Sequence, residues 1–427
     1  MAILSNKKLL ILGSSLGSCD MVKYAQEMGA YVYVIDYLPK DKSPAKRIAD
    51  ETSMISTTDI DAICDYVKEN KIDGVISGVS EINIYSTYLV CKRMKLPCYF
   101  NKKQWELCQN KENFKKLCLR YGVRTPKLFY ASQFDNIKSN DMVFPVIIKP
   151  VDGCASIGIT ICYTREELID AFPKAIEASK TKKAIVEEYV VGTEITSVYT
   201  IKNGDISLSC VRDRYPTEDH NNVTAQFDAS IAPSIYYNNY IEQVDAPIKN
   251  MLKGIKSQNG VIFFQGIVSN GYVYIFECGY RINALLDYRN ISKANGINYM
   301  KMLVNYSLTG EMSGYDLCED NPNPDEYLCI FNMTAHGGTI GKMNGLNEVV
   351  KIPYVIAAEF LLQEGRIIVD NNSMAQSIFR CHINAQKLED IKKTILKIQD
   401  IIEVLDDKGK DMLFSKFDVN RLYKDVN

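Results

Sequence analysis

Residues 263–284 read FFQGIVSNGYVYIFECGYRINA. Two apolar runs flank a turn, and alternation within each run sends every second side chain to one face, the pattern of a half-buried hairpin. The second run ends on Glu277, and Arg281 follows four residues later. Opposite Glu277, across the hairpin, stands Gln265, an amide where a second acid might be expected. Glu277 lies in YIFEC, among apolar neighbours, and an ionised carboxylate left alone there is costly. A cationic partner is therefore expected, either a metal ion or an arginine such as Arg281.

The rest of the chain bounds what this hairpin belongs to. With 427 residues the chain is too long for one compact core, and two or three domains are expected. Hydrophobic content of 46% and charged content of 24% are ordinary globular values, and a formal charge of −2 gives no basic surface for nucleic acid. Thirteen cysteines occur without any C-x-x-C spacing, and the histidines are His220, His336 and His382 alone, so neither a disulfide scaffold nor a zinc site is expected. Cys64, Cys118 and Cys162 sit among apolar residues and read as small buried side chains, which suits a reducing cytoplasm. No apolar run approaches the ~18 residues of a membrane helix. The opening NKKLLILGSSLGSC imitates a lipoprotein signal, but its apolar part, LLILG, fits a buried parallel strand better.

Residues 1–105 alternate strands (KLLILG, YVYVIDY, IDGVISGV) with helices (CDMVKYAQEMG, DIDAICDYVKENK, EINIYSTYLVCKRMK), the rhythm of an open parallel sheet. From about 106 the texture changes. KENFKKLCLRYG predicts a helix closed by Gly122, FPVIIKP a strand, VDGCASIGI a small-residue loop, and TREELIDAFPKAIEAS a helix opened by a Thr164/Glu167 capping pattern. KAIVEEYVVGTEITSVYTI reads as a long strand pair. The polar, proline-containing EDNPNPDE, residues 319–326, reads as a linker. Beyond it YLCIFNMTA, EVVKIPYV and GRIIVDN are strand-like, and KLEDIKKTILKIQDIIEVL is an amphipathic helix.

Several chemistry-bearing residues follow in order, and each has a use if the ligand is a nucleoside triphosphate. Lys111 opens a helix and Lys149 ends a strand, two point charges for phosphate oxygens. Gly153, Ala155, Ser156 and Gly158 let backbone N–H groups approach a phosphate. VEEYVV offers backbone groups to a purine edge, with either Glu187 or Glu188 facing inward, and Glu194 can accept ribose hydroxyls. The oxygens of Gln265 and Glu277 suit a hard cation such as Mg²⁺, and Arg281 on the same rim suits negative charge on a phosphoryl group or carboxylate.

Over nearly its whole length the chain resembles the ATP-grasp superfamily. NKENFKKLCLRYGVRTP resembles that family's first phosphate-lysine helix and FPVIIKPVDGCASIGI its strand–lysine–glycine-loop element, which implies Lys111, Lys149, Ser156 and Gly158 at the phosphates. VEEYVVGTEIT resembles the adenine hinge, implying Glu187, Tyr189 and Val190 near adenine and Glu194 at the ribose. The opening hairpin resembles the metal-binding hairpin, with Gln265 and Glu277 as ligands; the amide is similar to that of carbamoyl-phosphate synthetase. Gly279 stands where the family's usual Asn lies, which leaves the second metal open unless Asn283 or water substitutes. The spacing of Glu277 and Arg281 is similar to that of L-amino acid ligases and biotin carboxylase, which implies Arg281 at the reacting centre.

The implied architecture is α/β and α+β. An open parallel-sheet, pre-ATP-grasp domain spans residues 1–105. An ATP-grasp domain of two α+β subdomains spans 106–318, with its small lid at about 115–190, and an α+β subdomain spans 319–427. GSSLGSCD followed by Asp36 matches the dinucleotide fingerprint poorly and reads as a plain sheet-to-helix turn. Since the family's amino-terminal domain helps bind substrate, Glu81 in SGVSE is a substrate candidate. VRDRYPTEDHNNVTAQF reads as a solvated loop whose Arg212 and Arg214 are candidates for a phosphate or acyl group. HGGTIGKMNG reads as a turn-rich connection with His336 as a substrate-lining candidate.

The implied activity is that of a cytoplasmic ligase using ATP and Mg²⁺ or Mn²⁺ to join a small carboxylic acid to an amine through an acyl-phosphate. A bicarbonate-using carboxylase of the carboxyaminoimidazole ribonucleotide synthetase type and a non-catalytic ATP-binding protein are the alternatives. Small molecules are the expected partners, with neither nucleic acid nor membrane among them. The oligomeric state is open, a homodimer being one candidate.

Overall fold

A computed structural model of the chain describes residues 4–130, 142–152, 157–217, 226–371 and 373–423. Its first unit is a parallel sheet of β1 (Lys8–Leu12), β2 (Tyr31–Ile35), β3 (Glu51–Ser53) and β4 (Gly74–Ser77), in the order β3-β2-β1-β4. The connecting helices are α1 (Leu16–Glu27), α2 (Pro44–Ile48), α3 (Ile60–Asn70) and α4 (Glu81–Met94). Leu9 and Ile11 pack with Met21, Val22 and Leu303 on one face, while Leu10 and Leu12 pack with Ile63, Val67 and Val90 on the other. Burial on both faces explains why β1 is an unbroken apolar run rather than an alternating one. The chain moves from β1 through β2 to β3 and then returns to the free side of β1 with β4. The carboxyl ends of β1 and β4 therefore flank a topological switch point, the usual place for a ligand crevice in open parallel sheets. Ser15 and Ser18 cap α1 reciprocally there, so that turn already uses its own backbone donors.

Helices α5 (Lys102–Gln109) and α6 (Lys111–Arg120) lead into a second, four-stranded sheet. It contains β5 (Leu128–Tyr130), β6 (Val146–Pro150), β7 (Thr160–Cys162) and β8 (Ala184–Glu188), ordered β5-β8-β6-β7, with α7 (Arg165–Ala178) against β6 and β7. Thr164 Oγ1 accepts a hydrogen bond from the backbone of Glu167 at 3.2 Å, as the capping pattern predicts.

The largest sheet has eight strands. In chain order they are β9 (Thr193–Lys202), β10 (Asp205–Pro216), β11 (Phe227–Ala232), β12 (Gly260–Ser269), β13 (Tyr272–Gly279), β14 (Tyr327–Thr334), β16 (Val355–Phe360) and β18 (Ser377–Ala385). They are arranged β13-β12-β9-β10-β11-β14-β18-β16, and every pair is antiparallel. A small sheet joins β15 (Gly338–Asn344), β17 (Ile367–Ile368) and β19 (Glu403–Asp406). The remaining helices are α8 (Tyr237–Tyr240), α9 (Ala246–Gly254), α10 (Tyr288–Ala294), α11 (Tyr299–Thr309), α12 (Leu346–Val349) and α13 (Leu388–Ile401). Strands β14, β16 and β18, all beyond residue 319, continue the sheet begun by β9–β13. Among the described residues no helix is long and apolar enough to cross a membrane.

Five local expectations need correction. The apolar stretch 184–202 is not a strand pair: β8 and β9 belong to different sheets, and the chain crosses between them at Gly192, where a Cβ would stand 2.0 Å from the carbonyl oxygen of Val268. VRDRYP is not a solvated loop, because Arg212 and Asp213 are fully buried in β10 between β9 and β11; residues 218–225 of that stretch lie outside the described residues. EVVKIPYV opens as the short helix α12 and becomes strand only at Val355, while the glycine-rich 338–344 forms β15. The stretch 319–326 is no free linker, since Asp320 accepts hydrogen bonds from Ser209 Oγ at 2.6 Å and Asn295 Nδ2 at 2.8 Å.

Candidate functional site

The hairpin of β12 and β13 sets Gln265 opposite Glu277, as expected, but through a one-residue bulge that simple alternation does not predict. Gln265 pairs directly with Glu277, and on its other side with Thr196, which pairs in turn with Arg212. Directly paired residues point to the same face. Glu277, Gln265, Thr196 and Arg212 therefore form one polar row across four strands. The neighbouring row is Gly279, Phe263, Val198 and Cys210, apolar throughout. Between Gln265 and Gly266 the register slips, leaving Phe276 as an extra residue on β13. Such a bulge re-aims side chains, and here Phe276 meets the four-stranded sheet: Lys149 Nζ lies 5.2 Å from its ring centre.

The lysines converge from two elements. Lys111, first residue of α6, has its Nζ 4.0 Å from Glu277 Oε1, so the expected cationic partner of Glu277 is a lysine. Lys149, at the end of β6, lies 3.3 Å from Glu187 Oε2. The inward-facing acid of the 187/188 pair is Glu187, 1% exposed, whereas Glu188 accepts the backbone N–H of Lys127 at the surface. Glu187 Oε2 also takes Lys115 Nζ at 3.1 Å, and Lys115 is 1% exposed. Burial pulls the Lys115 ammonium below the usual lysine value, and the Glu187 carboxylate opposes that shift. Among the described residues Glu187 Oε1 has no hydrogen-bond partner, although it is buried.

Sequence reasoning missed Lys115. The available signal was its spacing from Lys111, since residues four apart share a helix face. Tyr189 and Val190 leave β8 toward the crossing, with Tyr189 donating to Pro145 O at 3.3 Å and Val190 nearly buried. Gly158 has a positive φ of 74°, and a Cβ there would stand 2.6 Å from that of Ala178, so only glycine fits. Ser156, with Gly153 and Ala155, lies outside the described residues.

The remaining candidates separate. Glu194 is held in an ion pair by Arg214, whose guanidinium also lies 5.0 Å from the Phe227 ring centre. Arg212 is fully buried, and among the described residues its guanidinium nitrogens find no nitrogen or oxygen partner, with the Cys210 thiol beside them; Asp287, an acid that influences it, is itself buried and bonded to Tyr299. Glu81 is bonded to Arg281 Nε, so Arg281 pairs with Glu81 and not with Glu277. Arg281 also rests over Phe263, 4.9 Å from the ring centre. A Cβ on Gly279 would stand 2.5 Å from that ring. Asn283, a candidate replacement ligand, uses its Oδ1 to accept from Leu285 N at 3.1 Å. His336 is exposed beside Asp370 and Phe414, neither of them in the nucleotide series. Among the described residues no group of three or more His, Cys, Asp or Glu could hold a metal ion.

Comparisons with known proteins agree with this fold. The family model described as D-ala D-ala ligase C-terminus matches residues 124–255. A phosphoribosylamine–glycine ligase of Fusobacterium nucleatum is 27% identical over 244 residues, covering 52% of this chain and 56% of the relative. The chain thus spans about half the length of the curated relatives it matches. The solved L-amino acid ligase of Bacillus licheniformis superposes with a TM-score of 0.76 at 16% identity, covering 94% of this chain and 99% of that one. The biotin carboxylase domain of the Hydrogenobacter thermophilus 2-oxoglutarate carboxylase, solved with MgADP and bicarbonate, gives 0.77 at 18% identity, covering 95% and 91%. With a parallel-sheet unit, a small four-stranded sheet and a large antiparallel sheet meeting at a lysine-lined rim, and with solved folds matching nearly end to end, the chain has the fold of the ATP-grasp enzymes.

Proposed function

We propose that this protein is an ATP-dependent ligase that joins a small carboxylic acid to an amine, releasing ADP and phosphate. The observation that carries the reading is the convergence on one rim of Lys111 with Glu277, of Lys149 and Lys115 with Glu187, and of the cross-strand pair Gln265–Glu277. Lysines from two elements suit the phosphates of a bound nucleotide. The open acceptor Glu187 Oε1 suits the exocyclic amine of adenine.

A carboxylate beside an amide oxygen fits Mg²⁺, a hard cation that completes its shell with phosphate oxygens and water. Bound there through Glu277 and Gln265, it would neutralise charge on the transferring phosphoryl group. The chain's own contribution is position and charge. Lys149 and Lys111 hold the triphosphate, and Arg281 faces the carboxylate of the acid. The acid's oxygen attacks the γ-phosphorus, the bond to the β–γ bridging oxygen breaks, and ADP leaves. An amine then attacks the acyl carbon, loses a proton, and phosphate departs. Phosphoryl transfer asks little covalent work of side chains, which suits a site made of charges and backbone.

The test is phosphate release from MgATP across a panel of amino acids, small acids and amines. Release with an acid–amine pair, lowered at least about tenfold by Lys149→Gln and by Glu277→Gln in folded protein, is expected. Turnover that needs only bicarbonate would replace the ligase with a carboxylase. Tight ATP binding without release under any condition would replace it with a binding protein.

A further inference from the structure

Glu81 is the first residue of α4, at the switch point of the parallel sheet, and both of its carboxylate oxygens are engaged. Oε1 takes Arg281 Nε, from a residue 200 positions away, and Oε2 takes Gln109 Nε2 at 2.8 Å. The amino end of a helix favours a negative charge, a suitable place for a carboxylate. Arg281 is held on three sides. Glu81 takes Nε, Ile282 O takes Nη1 at 3.0 Å, and the Phe263 ring lies beneath the guanidinium at 4.9 Å. Nη2 has no hydrogen-bond partner among the described residues, so one edge of the fork is left to a ligand.

Gly279 belongs to the same arrangement. Any side chain there would meet the Phe263 ring at 2.5 Å and lift the platform on which Arg281 lies. Gln109 ends α5 two residues before Lys111, so one short segment both anchors Glu81 and carries the lysine that reaches Glu277.

We propose that Glu81 is a positioning residue for Arg281. Through it the parallel-sheet unit fixes the orientation of an arginine that belongs to the hairpin. This rests on the reading of Arg281 given above, and it removes Glu81 from the substrate ligands, because neither of its oxygens is idle. Flexible arginines lose little when a partner is deleted at a surface, but a displacement of about 1 Å at a reacting centre lowers turnover by roughly 100-fold.

Two measurements on the full-length protein test the proposal. In steady-state phosphate release with the best acid–amine pair, Glu81→Gln should lower kcat by about 10- to 100-fold with KM for ATP within about twofold. Glu81→Asp should recover much of the loss, and Glu81→Gln/Arg281→Lys should be no slower than Arg281→Lys alone. Independent of turnover, the ¹H–¹⁵N signal of Arg281 Nε–H, assigned by its loss in Arg281→Lys, should be shifted or lost in Glu81→Gln and retained in Glu81→Asp. The proposal is overturned if the two single losses multiply, if Glu81→Gln raises KM for the acid or amine while kcat stands, or if the Nε–H signal is the same in Glu81→Gln. Should no pair turn over, the spectra alone decide. A silent Arg281→Lys in an active enzyme would instead remove Arg281 from the proposed chemistry, and the positioning role with it.

Discussion

Glu187→Gln is the sharpest probe of the site's interior. The carboxylate is enclosed with Lys115 at 3.1 Å and Lys149 at 3.3 Å, and Lys115 is as buried as Glu187. At an effective dielectric of about 20, each contact carries roughly 5 kcal/mol of gross attraction, most of it offset by the desolvation of three charges. Glutamine keeps the shape but deletes the charge, leaving two neighbouring lysines to repel. Breaking a buried pair from one side costs about 3–5 kcal/mol, and that loss is expected here. Amide hydrogen exchange in peptides covering 111–120 and 184–188 should then quicken by roughly 100- to 3000-fold, at about 1.4 kcal/mol per decade. The loss should shrink as pH rises. The folded Lys115 already holds its proton less tightly than an ordinary lysine, and removing Glu187 depresses it further. Between that depressed value and the ordinary lysine value the unfolded chain binds more protons, so stability climbs with pH in that window. Lys115→Met/Glu187→Leu, which removes the cation with its partner, should be more stable than Glu187→Gln. Protection within about fivefold of the unaltered protein in Glu187→Gln would refute the idea that this carboxylate organises the two lysines.

Two further outcomes follow from particular contacts. Gly279→Ala places a methyl 2.5 Å from the Phe263 ring, so denaturant melts should fall by about 1–3 kcal/mol, and kcat should fall with them because the platform of Arg281 moves. Desolvation raises the Asp320 carboxyl to about 6, from an ordinary value of 3.8, despite hydrogen bonds from Ser209 and Asn295. The folded state binds its proton more tightly, so stability falls as pH rises from about 4 to 6; Asp320→Asn should flatten that slope and regain on the order of 3 kcal/mol at pH 7 in denaturant titrations.

What was legible in the sequence was what local periodicity encodes. Alternation along two runs joined by a turn locates the hairpin, but counting back from Ser269–Tyr272 would set Gln265 opposite Phe276; the one-residue bulge that brings Glu277 there instead has no local signal in the sequence. The same logic finds Lys149 at the end of a buried strand and the cap at Thr164. Lys115 was within reach by helix spacing, but a second lysine one turn on reads as solvated until its partner is known. That partner, Glu187, comes from another sheet, and no local pattern links them. Glu81 with Arg281 and Glu194 with Arg214 are likewise products of tertiary closure. The apolar stretch 184–202 misled because burial looks alike in one sheet or two; what separates β8 from β9 is the tight crossing at Gly192 against Val268. Arg212 misled in the opposite sense, since polar density signals solvent unless neighbouring strands cover it.

The ion pairs of the rim differ in a way that bears on how a polyanion enters. Five cations, Lys111, Lys115, Lys149, Arg214 and Arg281, face four carboxylates, Glu277, Glu187, Glu194 and Glu81, so 5 − 4 leaves one formal positive charge. Attraction by net charge alone is therefore small, and binding has to exchange partners. Burial decides which pairs exchange. Lys115 and Glu187 are sealed, and separating them would strand two charges away from water. Lys111 and Glu277 are 4.0 Å apart, with the Glu277 side chain 38% exposed, the longest and wettest of these contacts. A weak, screened pair is cheap to open. Under the proposed function its opening would turn a lysine toward phosphate and a carboxylate toward a cation in the same movement. The trio of Lys115, Glu187 and Lys149, in contrast, would stay intact under that proposal and hold Lys149 in place for the nucleotide, sparing reorganisation at the moment of reaction.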